Sequence, residues 1–273
     1  MINKTASPRA LAALGAGLFM LAMSAFAQVG IGIAPPRFEL LMRPGDTATY
    51  SLAVFSKNTP DQQIEVSLAD WVSDETGAVK IYQPGVLAHS AAHWINVALD
   101  PFNLKANSSH EIKFSVTIPD DNALQGSYWS ALSFKTKPIP VKKQGITTLV
   151  STRALAVVYV TIQGTEKPAA ALQGVSLVTA KEGGRKLVAD VVNKGNVYLR
   201  LNGELRFVNA KGEVVKRAPL PERVLLRDGL VRYELPVPAD LPEDVVLAAI
   251  EIQPQGPARS YGGPPLYGEV DLK

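Results

Sequence analysis

The sequence predicts an all-β protein in which two β-sandwich domains follow one another along the chain. Three observations support this fold class. From Arg37 onward, short segments alternate apolar and polar residues, turn residues separate these segments at regular intervals, and no capped run with helical spacing occurs before residue 165. Strands at such intervals are typical of antiparallel sandwiches and barrels.

The first 27 residues have the order of a secretory signal peptide. Lys4 and Arg9 come first, an apolar stretch runs from Ala10 to Met23, and Ala25-Phe26-Ala27 supplies a small-x-small cleavage site. The apolar stretch is shorter than the about 20 residues that cross a bilayer, and no later uncharged run reaches that length. The sequence therefore predicts a cleaved signal over residues 1–27, a mature chain beginning near Gln28, a periplasmic location, and no membrane insertion after cleavage.

Composition excludes several classes of function. Removing residues 1–27 takes away two of the 28 basic residues and leaves 26 against 25 acidic ones, so the net charge falls from +3 to about +1. Nucleic-acid binding would need basic residues gathered into a patch, and none is evident. The chain has no cysteine, which excludes disulfides, thiolate catalysis and cysteine-ligated metal sites.

The first predicted domain covers residues 28–166. Strict alternation from Ile64 to Trp71 places Ile64, Val66 and Leu68 on one face of a strand, and Asp74-Glu75-Thr76-Gly77 turns the chain after it. Its predicted strands are 50–55, 64–71, 94–99, 110–118, 127–136 and 146–162.

A linker over Gly164 to Ala171 separates this domain from a second one, predicted over residues 167–253. The same pattern of strands and turns resumes there, with predicted strands at 187–192, 197–201, 204–208, 213–217, 231–235 and 245–252. Residues 254–273 are rich in proline and glycine and are predicted to be a loosely packed tail. Each domain has about the size of an immunoglobulin-like sandwich, so two such sandwiches in tandem are expected.

Catalytic, metal and cofactor sites are not indicated. His89 and His93 would share one face of a helix and could then bind one metal ion. Their segment leads into a strand, however, where four residues span about 13 Å, and two ligands that far apart cannot share one ion. Trp71, Trp94 and Trp129 could line a sugar-binding face, but large aromatic residues of a sandwich more often fill its core or cover its end, and these three are not clustered in sequence. No nucleophile elbow, phosphate loop or dinucleotide fingerprint occurs after residue 27. The sequence thus predicts a protein that is not an enzyme and uses no cofactor.

Several segments resemble, in the same order, those of PapD-like periplasmic pilus chaperones. They are PPRFELLMRPGD, SLADWVSDETG, AAHWINVALDPFNLKANSSHEIKFSVTIPDD, GSYWSALSF and TTLVSTRALAVVYVTI, followed by VVNKGNVYLRLNGELRFVNAKGEVV in the second domain. The resemblance implies that the protein lends a long strand of its first domain to a secreted pilus or surface-structure subunit that lacks its last strand. An outer-membrane usher is a further candidate partner.

In that family a basic pair between the domains holds the subunit's terminal carboxylate and sets the register of the lent strand. Arg37 falls where the family places its first-strand arginine. Counted back from Tyr159, the position expected for the partner lysine holds Ala156. Arg153 is the strand's only basic residue, and it could replace the lysine if the strand carried an insertion or bulge near Ala154.

The resemblance then assigns the lent positions to Ile146, Thr148 and Val150, although Leu149 on the opposite face leaves the register open. Two further interpretations remain open, and the departure at Ala156 favours the second. Arg37 could be an ordinary charged residue that protects an edge strand. The whole protein could be an exported structural or adhesive protein of the same fold without chaperone activity.

Overall fold

A computed structural model describes residues 30–57, 59–143, 145–180, 183–257 and 263–273; for residues 141–143 it describes the backbone only. The predicted signal peptide and the predicted start near Gln28 lie outside these ranges. Within them, no helix has the length and apolar character needed to span a membrane.

Two β-sandwiches succeed one another, as the sequence predicts. The first contains β1 Gly30–Ala34, β2 Arg37–Met42, β3 Thr47–Lys57, β4 Gln62–Ser73, β5 Val79–Tyr82, β6 Ile95–Val97, β7 Phe102–Leu104, β8 Ser109–Thr117, β9 Ser127–Thr136, β10 Ile139–Lys143, β11 Ile146–Val150 and β12 Arg153–Ile162. A short 3₁₀ turn, Ala92–Trp94, precedes β6. One sheet has the order β1-β3-β8-β6, the other has the order β2-β12-β9-β4-β5 with β7 also paired to β4, and β10 and β11 form a separate ribbon.

Alternating side chains fill the space between these two sheets. Ile64 and Val66 are buried and Leu68 packs against the same cluster, so the predicted shared face of β4 is confirmed. Phe114 and Phe134 are among the largest fully buried side chains of this core. Aromatic and branched residues of this size exclude water efficiently, and each contributes about 1.5–3 kcal/mol on full burial.

The amino-terminal segment connects the two sheets of the first sandwich. β1 pairs with β3 in one sheet, whereas β2 pairs in parallel with β12 in the other. Pro35 and Pro36 lie between them, and the Ala34–Pro35 peptide bond is cis. Proline has no N–H to donate to a ladder, so pairing stops here and the chain can cross between sheets.

The single strand predicted over residues 146–162 is wrong, because the structure divides it into β11 and β12 at Ser151-Thr152. The break is held by Thr136: its carbonyl oxygen accepts the Ser151 hydroxyl at 2.7 Å, and its Oγ1 accepts the Thr152 N–H at 2.9 Å. The irregularity therefore lies nearer the ribbon than the bulge considered near Ala154.

The second sandwich consists of β13 Ala170–Thr179, β14 Arg185–Asn193, β15 Leu199–Asn209, β16 Val214–Pro219, β17 Arg223–Leu225, β18 Leu230–Pro236, β19 Val245–Gln255 and β20 Leu266–Asp271. Its sheets have the orders β13-β14-β18 and β16-β15-β19-β20, and β17 also pairs with β15. The linker is shorter than the sequence suggests, since Ala170 and Ala171 already belong to β13.

The prediction of a loosely packed tail over residues 254–273 is wrong for its last part. β20 pairs with β19 from Leu247↔Asp271 to Ile252↔Leu266, and Leu272 is buried in the second core. The alternation of Leu266, Gly268 and Val270 with polar residues was obscured by the prolines and glycines before it.

Candidate functional site

β11, which forms a ribbon with β10, carries the most exposed large apolar side chains described in the first domain. Ile146 and Leu149 are each 70% exposed and Val150 is 41% exposed, and Thr148 is exposed as well. β11 pairs with β10 along one edge only, from Lys143↔Ile146 to Ile139↔Val150. Among the described strands no other pairs with β11, so its second edge presents unpaired backbone groups.

This unpaired edge continues into the first part of β12. β2 begins its pairing at Arg37↔Val157, and the N–H of Val157 donates to the carbonyl oxygen of Pro36 at 3.0 Å. Backbone groups alternate in direction along a strand, so those of Arg153 and Leu155 point to the same side, before β2 begins. Within the part of the chain that the structure describes, the free edge therefore runs from β11 to Leu155.

The two faces of β12 have different surroundings. Ala156 is fully buried with Val158 and Val160 in the core of the first sandwich. Leu155 and Val157 instead pack against the cluster that separates the two domains. Ala156 therefore cannot present a side chain to the cleft. The residue beside Arg37 in the cleft is Val157, which corrects the position inferred by counting back from Tyr159.

Arg37 lies at the rim of the cleft between the domains, with its side chain 49% exposed. Its Nε is 3.6 Å from Glu39 Oε1 and its Nη1 is 3.5 Å from Glu222 Oε1. At these separations the guanidinium has ion pairs but no close hydrogen bond with any described residue, and about half of its side-chain surface faces solvent. Exposed pairs of this kind are weak, so Arg37 can exchange a partner at small cost.

A second arginine, which the sequence analysis did not single out, shares both carboxylates. Arg200 of β15 donates through Nε to Glu39 Oε1 at 2.8 Å and through Nη1 to Glu222 at 3.1 Å, and only 12% of its side chain is exposed. Burial opposes the charge of Arg200, but the hydrogen bonds that Arg200 donates to Glu39 outweigh this effect, and the pKa of the guanidinium is raised. The cation stays charged and is committed to the interface.

Two tyrosines line the same region. The Arg200 Cζ lies 5.7 Å from the ring centroid of Tyr159 and 5.9 Å from that of Tyr198. Burial raises the pKa of Tyr159 to about 12 and also raises the pKa of Tyr198, so both remain neutral. The two arginines and two glutamates together carry no net charge. Within this described cluster of four charged residues, Arg37 is therefore the cation that can bind a new partner.

Arg153 lies on the same face of the sheet as Arg37. Arg37 is paired with Val157, and Arg153 and Val157 are separated by an even number of residues along β12, so their side chains point to the same side. Arg153 pairs with Lys135 of β9. It lies four residues before Val157, the residue of β12 that is paired with Arg37, so Arg153 and Arg37 are about 13 Å apart along the strand direction. The structure does not bring the two arginines together. Arg153 instead adjoins the ribbon, where its exposed side chain lies next to the free edge.

Polar contacts on both sides of the cleft hold the two domains. The N–H of Arg232 donates to the carbonyl oxygen of Glu75 across the cleft at 2.7 Å. Two 2.8 Å hydrogen bonds to Asp190 of the same domain position the Arg232 guanidinium, whose Nη1 lies 3.5 Å from Glu75 Oε1. On another part of the interface His89 Nε2 is 2.9 Å from Asp228 Oδ2. Trp71, Trp129, Tyr159, Tyr198 and Leu226 form the apolar centre between these contacts.

Strand order, ribbon and cleft define a tandem β-sandwich protein whose first domain has an unpaired edge beside a charged groove. No protein-family model and no curated protein matches the chain.

Solved structures similar to it include a chain of a chaperone–tip adhesin complex of CFA/I fimbriae biogenesis, with 12% identity, a TM-score of 0.44, and 88% of this chain and 98% of that one covered. The E. coli chaperone DraB has 13% identity and a TM-score of 0.41, with coverage of 90% and 98%. The Pseudomonas aeruginosa chaperone CupB2 has 8% identity and a TM-score of 0.38, with coverage of 86% and 97%.

Proposed function

We propose that the protein is a periplasmic chaperone that binds secreted pilus or surface-structure subunits by lending them the β11 strand. It forms no covalent bond and uses no cofactor in this role. An outer-membrane usher would receive the complex. The observation that carries the proposal is the exposure of Ile146, Leu149 and Val150 on a strand with one unpaired edge.

A ribbon of this kind is incomplete by itself. A two-stranded hairpin is marginally stable in water, and an exposed apolar edge invites pairing with another chain. A sandwich subunit that lacks one strand offers both a backbone edge for β11 and a groove for its alternate side chains. Burying Ile146, which is 70% exposed here, would contribute about 1–2 kcal/mol, and burying Val150, which is 41% exposed, would contribute about 1 kcal/mol.

The register of the lent strand is proposed to depend on which face enters the groove. Ile146, Thr148 and Val150 share one face, and Leu149 with Thr147 forms the other. The proposal assigns the first set to the groove, because it places two apolar side chains there rather than one.

Arg37 is the proposed anchor for the subunit's terminal carboxylate. Its loose ion pairs with Glu39 and Glu222 leave a guanidinium fork that a carboxylate can engage through two hydrogen bonds. Arg153, next to the free edge, would contact an acidic group further along the subunit rather than the same carboxylate.

One observation favours the alternative of a structural or adhesive protein without chaperone activity. Val157 stands beside Arg37 in the cleft, and the nearest other arginine, Arg200, is already bound to Glu39 and Glu222. A protein of that kind would bind cells or glycans through other surfaces, and its ribbon would be dispensable.

Exported partners can decide between these two functions. The protein would be produced in its own host with an affinity tag, and the bound proteins identified by mass spectrometry. A chaperone is expected to capture incomplete sandwich subunits, which should aggregate when it is absent. Substituting Ile146→Thr with Val150→Thr should reduce capture more than Leu149→Thr, and Arg37→Ala should also weaken it.

Val214→Thr is the matched control, because Val214 is a 39% exposed valine at the start of an edge strand in the second domain. It should leave capture unchanged. Equal capture by all these variants, or capture of no sandwich subunit, would refute strand lending from β11.

A further inference from the structure

A pocket of about 250 Å³ lies between the two sandwiches. Trp71, Gly77 and Val79 line it from the first domain, and Glu222, Arg223 and Val224 line it from the second. Sites that enclose a whole drug-sized ligand span about 300–1,000 Å³. This pocket is smaller, so it fits the end of a chain rather than an entire large ligand.

Two hydrogen-bond donors at this pocket have no partner among the described residues. Trp71 is only 5% exposed, yet its Nε1 makes no hydrogen bond. The buried Nε of Arg223 is also unpaired, and no carboxylate of the described chain forms an ion pair with this arginine. Unpaired buried donors are costly, so an acceptor that reaches either of them would be favoured.

The remaining charged group of the pocket is already neutralised. Glu222 accepts from Arg200 at 3.1 Å and lies 3.5 Å from Arg37. Arg223 packs closely against Gly77 across the domain boundary, since a Cβ added to Gly77 would stand 2.0 Å from its Nη1. The pocket therefore presents one uncompensated guanidinium among apolar residues, which is complementary to a carboxylate.

β5 leads directly into this pocket. It is the edge strand of its sheet, it begins at Val79, and it pairs only with β4 among the described strands. Ile81 is paired with Trp71, so Val79 and Ile81 lie on the pocket side, where they are 54% and 39% exposed. A peptide that runs antiparallel to β5 would approach Val79 with its carboxyl end.

We propose that this pocket binds the C-terminal carboxylate of an extended peptide whose backbone pairs with β5. Arg223 binds the carboxylate, the Trp71 indole donates a second hydrogen bond, and Val79 and Ile81 contact alternate apolar side chains. The site is separate from the β11 edge and does not depend on strand lending there.

The test uses the whole chain and an acetylated hexapeptide of alternating threonine and valine that ends in valine. Calorimetry compares the free carboxylate form, the C-terminal amide and isobutyrate. The acid peptide is expected to bind at least about tenfold more tightly than the amide, because a charge-assisted pair is lost. Isobutyrate should bind much more weakly, because it cannot pair with β5.

NMR supplies a second readout on the same protein. The indole N–H proton of Trp71, assigned with Trp71→Phe, should move downfield when the acid peptide binds. Arg223→Gln should weaken the acid peptide by about tenfold without changing amide binding, whereas Arg217→Gln, on the exposed β16, should change neither.

No binding at millimolar peptide, or equal binding of acid and amide, would overturn the carboxylate assignment. Isobutyrate binding as tightly as the peptide would overturn the role of β5. Neither result would affect capture of subunits by the β11 ribbon.

Discussion

Removing the Arg200 guanidinium is expected to weaken the junction between the sandwiches more than any single exposed ion pair does. Arg200→Ala deletes the hydrogen bonds to Glu39 and Glu222 and the contacts with the rings of Tyr159 and Tyr198. It also leaves Glu39, only 30% exposed, facing two buried tyrosines without its closest cation.

The size of the effect follows from these contacts. A hydrogen bond to a charged group contributes about 1.5–3 kcal/mol, and breaking a buried pair by removing one partner costs about 3–5 kcal/mol. Glu222 is 47% exposed, so solvent compensates part of its loss. Both bonds to Glu39 share one oxygen, so they do not add. We expect the free energy of unfolding to fall by about 2–3 kcal/mol.

Urea unfolding followed by tryptophan fluorescence is a suitable assay, because Trp71 and Trp129 belong to the interface cluster. A double-mutant cycle with Glu39→Gln isolates the pair, and it should give a coupling of about 1–2 kcal/mol. Calorimetry on the same variants would show whether the two domains begin to unfold separately.

Arg217→Ala is the matched control. Arg217 also bonds to a glutamate, Glu204, but its side chain is 56% exposed and lies within one domain. Its substitution should leave stability nearly unchanged. If Arg200→Ala has no greater effect than Arg217→Ala, the reasoning that Arg200 secures the domain junction is wrong.

Three further outcomes are expected. Asp70→Ala should lower the free energy of unfolding by about 3 kcal/mol in urea titrations, because it leaves three donors at a fully buried carboxylate unpaired. The hydrogen bond from Arg232 lowers the pKa of Asp190 below its ordinary value of 3.8, so its contribution is present above that pH and is lost as pH falls through the lowered value. Thermal melts at decreasing pH should therefore show a smaller fall in melting temperature for Arg232→Gln than for the unsubstituted protein. An unchanged pH profile would contradict this. Deleting residues 266–273 removes β20 and the buried Leu272, and should lower the melting temperature of the second domain, whereas an unstructured tail could be removed without effect.

Much of the architecture was readable from the sequence because it depends on local alternation. β9 has the predicted bounds, 127–136, and the face shared by Ile64, Val66 and Leu68 packs as expected. Such patterns repeat every two residues and report which side of a strand is buried. β20 was missed because its alternation is short and follows a segment rich in glycine and proline. Its strand structure depends on pairing with β19, which the local sequence does not indicate.

The candidate sites were less accessible. Arg37 could be found because a charged residue stands between two prolines and an apolar strand. Arg200 could not, because its partner Glu39 is 161 residues away and its own strand offers no signal of that contact. The pocket at Trp71 and Arg223 is likewise built from two domains, and neither residue is unusual in its local segment.

The sequence by itself determined the class of fold, the succession of two sandwiches and the apolar character of Ile146, Leu149 and Val150. Only the tertiary structure decided which residues meet in the cleft: Ala156 turned inward, Val157 beside Arg37, and Arg200 across from Glu39. The physical reason is that side-chain alternation is set within a strand, whereas register and domain contact depend on pairing between distant segments. A shift of one residue in the pairing register of β12 would turn its core-facing side chains toward the cleft and its cleft-facing side chains toward the core.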